Sequence, residues 1–170
     1  MAQSLRPRLL IAVALCVAFA LGALAPVGFG AAEAAPTVVR NALAQTEVVQ
    51  GAPGRTMVLS RVAVAPGAEL ALHHHLGTQI ARVTAGTLTY TVREGSVVVR
   101  RGESDKDPHV VRTIEGGQTG RIHAGEWIVE QPSDIHQAAN RGSERVVIYI
   151  ATLLKDGAPP STPVPPPPAG

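Results

Sequence analysis

Apolar and polar residues alternate with a two-residue period over much of the chain between Thr37 and Leu154. Successive side chains of a strand point to opposite faces, so this period predicts half-buried strands. Thr87 to Val92 is the clearest stretch: Leu88, Tyr90 and Val92 share one face, and Thr87, Thr89 and Thr91 the other. Met57 to Val64 behaves alike, with Val62 and Val64 on one face. Leu70 to His75, Gln79 to Thr84, Val97 to Val99, Val110 to Ile114, Gly120 to His123, Glu126 to Glu130, His136 to Asn140 and Val146 to Leu154 read as further strands. Val38 to Leu43 fits either an entry strand or a helical turn. Turn signals stand between them: Ala65-Pro66-Gly67, Ala85-Gly86, Arg93-Glu94-Gly95 and Glu115-Gly116-Gly117. Arg100 to Pro108 is polar and reads as a loop, and no segment of the domain holds a helical period. Many short strands at close spacing predict an all-β barrel or sandwich.

The two ends follow other rules. Arg6 and Arg8 precede an apolar run from Leu9 to Leu24, and Ala32-Glu33-Ala34 is an A-x-A cleavage signal. Residues 1–34 therefore read as a signal peptide cleaved after Ala34, with the product exported to the periplasm or secreted. The run is short against the roughly 20 residues of a spanning helix, so no stable membrane span is expected after processing. Cys16 follows Leu15, where a lipoprotein signal needs a small residue. With residues 1–34 removed no cysteine remains, and with it no disulfide and no thiol nucleophile. Residues 35–156 form the predicted barrel domain. Residues 157–170, including Pro165 to Pro168, lack apolar side chains to pack and predict a proline-rich disordered tail.

Composition narrows the partners. Both phenylalanines, Phe19 and Phe29, lie in the leader, so the domain keeps only Tyr90, Trp127 and Tyr149 as aromatics. Its core must rest on Val, Ile, Leu and Ala, which suit strands. The formal charge of +2 falls to +1 without Arg6, Arg8 and Glu33, and no Lys/Arg-rich run follows. A nucleic-acid footprint is therefore not expected.

The chemistry lies in the histidines. Gly67 is followed after five residues by His73, then His75, then after three residues Gln79, and after six more Gly86. Histidines at i and i+2 of a strand share a face, and on the inner face of a barrel their imidazoles can share one metal ion. A second segment sets Gly125 eleven positions before His136, with Asn140 four positions on. His74 faces away from His73 and His75 by parity and reads as solvent-exposed or at a subunit contact. His109 and His123 fall outside both segments and read as surface residues. Asn140 reads as a turn-stabilising hydrogen bonder, Trp127 as a packing residue, and Gly67, Gly86 and Gly125 as tight-turn glycines.

These two segments resemble the paired motifs of the cupin superfamily, over about Val62 to Leu154. Gly67, His73, His75 and Gly86 stand at the spacing of the family's first motif, with Gln79 where the family has glutamate. Gly125, His136 and Asn140 match the second, while the motif proline is displaced to Pro132 and Asp134 stands near the usual turn glycine. Gly86 to Tyr90 and Asn140-Arg141-Gly142 also look like small exported bacterial cupins. The resemblance implies a cupin-type conical β-barrel, a double-stranded β-helix or jelly roll. It implies a mononuclear divalent transition metal (Fe, Mn, Zn, Cu or Ni) held by His73, His75 and His136, with Gln79 as the fourth residue of the set. A neutral amide there leaves the site more positive than a glutamate would, which favours an anionic substrate and weakens metal retention. Glu130 is another carboxylate of this region, but the turn after it breaks the register, so parity does not fix where it points. The function implied is an oxygenase or isomerase acting on a small anionic or enolisable molecule. The alternative is a non-catalytic module that binds a small ligand or a metal. Val146 to Ile150 offers an apolar strand that a homodimer would bury.

Overall fold

The computed structural model describes residues 35–165; the signal peptide expected over residues 1–34, and residues 166–170, lie outside them. The described chain is built of strands: β1 (Val38–Thr46), β2 (Arg55–Val64), β3 (Glu69–His74), β4 (Gly77–Ala85), β5 (Thr87–Glu94), β6 (Ser96–Arg101), β7 (His109–Glu115), β8 (Thr119–His123), β9 (Glu126–Glu130), β10 (Ile135–Ala139), β11 (Val146–Lys155) and β12 (Thr162–Pro163). Among the described residues no helix is long and apolar enough to cross a membrane. A seven-stranded sheet runs β1-β2-β11-β4-β9-β6-β7, and a five-stranded sheet runs β12-β3-β10-β5-β8. Every neighbouring pair is antiparallel. This is an all-β barrel of two antiparallel sheets in a jelly-roll arrangement, as the strand pattern predicts.

The core sits between the sheets because each strand alternates. On β11, Val146, Ile148, Ile150, Thr152 and Leu154 are buried, while Tyr149 faces outward. The inward-facing residues of the apolar strand Val146 to Ile150 are hidden within the barrel, and its outer face, at Tyr149, stays exposed. β-Branched residues fill the rest, among them Val62, Val64, Val92, Val99, Ile114, Ile122 and Ile128, with Tyr90 the one aromatic ring in the cluster. Burying each such side chain contributes roughly 1.5–3 kcal/mol.

Turns hold the register. Gly67, Gly86 and Gly125 have φ of 76°, 74° and 88°, a region open to glycine and costly for other residues. At Gly86 a Cβ would also press on the Arg145 carbonyl oxygen at 2.9 Å. Asn140 is fully buried and donates through Nδ2 to the carbonyls of Val64 (2.9 Å) and Glu144 (2.7 Å) while accepting from the Gly142 amide (3.0 Å). It ties β2 to the loop before β11, the hydrogen-bonding role expected of it.

The strands settle one open reading and correct three others. Val38 to Leu43 lies within a longer strand, β1, whose pairing with β2 is interrupted by a bulge between Ala42 and Ala44. Arg100 and Arg101 belong to β6 rather than to a loop, because β9 pairs with them through Trp127 and Glu126. The disordered tail does not hold over residues 157–165. There Thr162 and Pro163 pair with His74 and His73 at the edge of the five-stranded sheet. Proline is tolerated at such an edge because its missing N–H faces away from the ladder. His74 is accordingly half-buried rather than free in solvent.

Candidate metal centre

Two strands of one sheet bring the three histidines together. His73, one residue before the end of β3, pairs with His136 of β10, and His75 follows β3. His73, His75 and His136 are 8%, 0% and 2% exposed, and one ligand nitrogen from each lies within 4.8 Å of the others. The rings meet at 4.4–5.1 Å between centroids, and the Nε2 atoms of His75 and His136 are 3.3 Å apart. His109 is exposed and His123 is half-buried on β8 beside Thr87, so neither joins the cluster.

The outer nitrogens are already engaged. His73 Nδ1 lies 2.6 Å from the Ala71 carbonyl oxygen and His75 Nδ1 lies 2.8 Å from that of Pro160. A carbonyl only accepts, so both Nδ1 atoms carry the proton and both Nε2 lone pairs point inward. This is the arrangement that fixes metal-ligating imidazoles. His136 stacks on Tyr90 at 5.1 Å. Burial depresses the basicity of His136 to a pKa of about 4, and burial likewise lowers that of His75 against the opposing pull of Glu130. Both rings are therefore neutral at neutral pH, the form that binds a metal.

Gln79 and Glu130 complete the polar set. Gln79 is buried on β4, as its place in the motif requires. Its Nε2 lies 2.7 Å from His75 Nε2 and also donates to Glu130 Oε2, whereas its Oε1 has no hydrogen-bond partner. A carboxylate only accepts, so the NH2 side must face Glu130, and an amide nitrogen has no lone pair to offer a metal. Glu130 points inward and is 4% exposed. Tyr90 Oη donates to its Oε1 at 2.7 Å. Burial raises the Glu130 carboxyl pKa, but His136, His75 and the hydrogen bonds from Tyr90 and Gln79 outweigh it, so the net shift is downward. The site is therefore not short of negative charge: the carboxylate missing at position 79 is restored from the next strand. The signal lay within β9, where Glu126, Ile128 and Glu130 share one parity and Ile128 belongs inside.

The cavity bounded by these groups holds about 30 Å³ and is otherwise apolar, lined by Val83, Leu88, Ile122, Ile128, Ile148 and Ile150. That admits about two waters. Arg40, on β1, shares the wall with His73, His75 and Glu130. Burial lowers its pKa, with Glu130 opposing. Among the described residues no carboxylate closes an ion pair with it. Neither Arg40 nor Pro160 was visible as a site residue in the sequence; each reaches the cavity through tertiary pairing alone. Trp127 lies outside the site, donating from Nε1 to the Gly102 carbonyl (3.1 Å) under the Arg100 guanidinium.

Comparison with solved structures finds the following similarities. A cupin superfamily protein from Desulfitobacterium hafniense DCB-2 matches with 17% identity and a TM-score of 0.48, over 69% of this chain and 78% of that one. A cupin 2 domain-containing protein from Halorhodospira halophila matches with 14% identity and a TM-score of 0.49, over 75% and 70%. KdgF from Halomonas sp. matches with 18% identity and a TM-score of 0.46, over 70% and 81%. No protein-family model matches the chain, and no curated protein matches it.

Proposed function

We propose that the mature protein is an exported, single-domain cupin-type barrel whose His73, His75 and His136 hold one divalent transition metal. The observation that carries this reading is the inward convergence of the buried imidazole nitrogens, with the outer nitrogens of His73 and His75 occupied by backbone carbonyls. The donor set fits the ion. Donors about 2.0–2.1 Å from a tetrahedral metal stand about 3.3–3.4 Å apart, which is the His75–His136 separation of 3.3 Å. Three imidazoles suit Fe, Zn, Cu, Ni or Mn without selecting among them. The orphan Oε1 of Gln79 adds a buried polar atom that bound solvent at such a centre would satisfy.

The inner cavity of about 30 Å³ favours a metal-binding module that takes a metal and little more. The second reading, an oxygenase or isomerase on a small anionic or enolisable molecule, is favoured by Arg40. Its guanidinium lines the same wall without a carboxylate partner, suited to orienting an anionic group. When bound, the metal supplies Lewis-acid polarisation of a ligand oxygen. The chain's own part is then to hold the imidazoles in one tautomer, to orient an anion at Arg40 and to exclude bulk water with its apolar wall. A homodimer would use the outer face of β2, β11 and β4, where Met57, Leu59, Ile80 and Tyr149 are exposed.

Metal titration into the chelated mature chain tests the first reading: the melting temperature should climb with the logarithm of free metal, and a flat response rejects it. Oxygen uptake and enol-proton exchange with small carboxylates test the second: loss of turnover in Arg40→Ala at unchanged metal content supports it, and no turnover in wild type rejects it. Export is tested by the intact mass of the extracytoplasmic product, expected to begin at Ala35.

A further inference from the structure

Resting on the histidine metal site proposed above, we infer that Glu130 supplies its anionic fourth ligand from β9, and that Gln79 is a positioning residue which holds that carboxylate in place. Gln79 and Glu130 are direct cross-strand partners in the β4–β9 ladder. Neighbouring strands lie about 4.8 Å apart, a gap that the reach of a glutamate side chain covers. The carboxylate can therefore move from one strand to the next without leaving the centre.

Three observations converge on this. The first is distance. Glu130 Oε1 is 3.2 Å from His136 Nε2, and Oε2 is 3.7 Å from His75 Nε2. With the 3.3 Å between the two imidazole nitrogens, these edges bracket the roughly 3.3–3.4 Å that separates donors around one tetrahedral metal. The second is charge. A buried carboxylate needs a cation or a full set of hydrogen bonds. Among the described residues no lysine or arginine lies within ion-pair distance of Glu130. Tyr90 and Gln79 donate one bond each, which leaves lone pairs facing the histidines. The third is orientation. Those two donors approach different oxygens, Tyr90 at Oε1 and Gln79 at Oε2, and so fix the carboxylate plane. Ligating carboxylates are held by hydrogen bonds of this kind.

The identity of residue 79 then has a reason. A glutamate there would set two buried carboxylates against each other across the ladder, and one would have to keep its proton. An amide meets the same neighbour as a donor. The departure from the motif at position 79 and the inward carboxylate at position 130 are one compensated exchange.

Cobalt(II) is the probe. It is titrated into the mature chain in competition with a chelator, and its visible absorption bands are recorded in the same samples. Glu130→Gln keeps the side-chain shape, and it should weaken Co²⁺ binding at least about tenfold and alter the bands. The exchange variant Gln79→Glu/Glu130→Gln returns the carboxylate to the partner strand and should recover most of that loss. Wild-type affinity and spectrum in Glu130→Gln, with binding still lost in His73→Ala, would remove Glu130 from the site and leave the histidine centre standing. Absence of Co²⁺ binding by the wild-type chain would remove both. If Glu130→Gln does not fold, the exchange variant decides alone: binding near wild type supports the compensated pair, and binding lost in a folded exchange variant overturns it.

Discussion

Two glutamates on β9, four residues apart with Ile128 between them, are both buried, yet they live in opposite surroundings. Glu126 is saturated with cations. Arg112 reaches both its oxygens at 2.9 Å, Arg101 adds a contact at 3.1 Å, and the His123 amide donates at 2.9 Å. The two arginines are partly exposed, so this end of the strand lies near solvent. Glu130 has no such partner; it receives Tyr90 and Gln79 and faces two neutral imidazoles. One carboxylate is neutralised by the chain to hold strands together. The other is buried, oriented and left for a cation from outside. Equal burial on one strand thus serves two ends, and the partners reveal which.

Substitution at each position separates the two roles. Glu126→Gln should cost about 2 kcal/mol in denaturant unfolding at neutral pH, because two arginines and an amide lose their anionic acceptor. The arginines' access to water keeps the figure below that of a fully enclosed pair. Its metal affinity should stay at the wild-type value. A next smaller effect concerns closure of the Glu130 end, where Pro160 pins His75. Removing residues 157–170 frees His75 Nδ1 and should weaken metal binding about tenfold, measured by chelator competition; undiminished affinity would reduce β12 to a packing element. Glu130→Gln should cost the metal-free protein about 1 kcal/mol, less than Glu126→Gln, since Tyr90 and Gln79 lose an anionic acceptor but no paired arginine does. A loss as large as that of Glu126→Gln would erase the distinction between the two glutamates.

Acid sharpens the contrast further. Burial raises the Glu126 carboxyl pKa, but the His123 amide and the two arginines outweigh it and hold it below the ordinary value. A depressed carboxyl pKa contributes stability that is fully present above the ordinary carboxylate range and disappears as pH falls through the depressed value. The stability gap between wild type and Glu126→Gln should therefore narrow from about pH 6 to about pH 3. A gap that widens toward low pH would contradict the ion-pair assignment.

Much of this was legible in the sequence, for reasons that differ by region. The period of Thr87 to Val92 reappears as the buried Leu88, Tyr90 and Val92 of β5, because a strand with one buried face cannot slip without exposing it. His73, His75 and His136 converge because the motif spacing fixes both parity and strand pairing. Glu130 was harder. The turn over residues 131–134 and the irregular pairing between Ile135 and His136 break any count made backward from His136. Pro160 was harder still. Its contribution is a backbone carbonyl, which no side-chain pattern announces, and a proline-rich composition argues only against a packed core. Arg40 follows the same logic, since its place on the cavity wall depends on β1 pairing with β2 across a bulge.

The most direct measurement is elemental analysis of the untagged mature protein and five histidine variants. About one divalent metal per chain is expected in wild type, His74→Ala and His109→Ala, and little in His73→Ala, His75→Ala or His136→Ala. Equal metal content in all five variants would contradict a centre built from His73, His75 and His136.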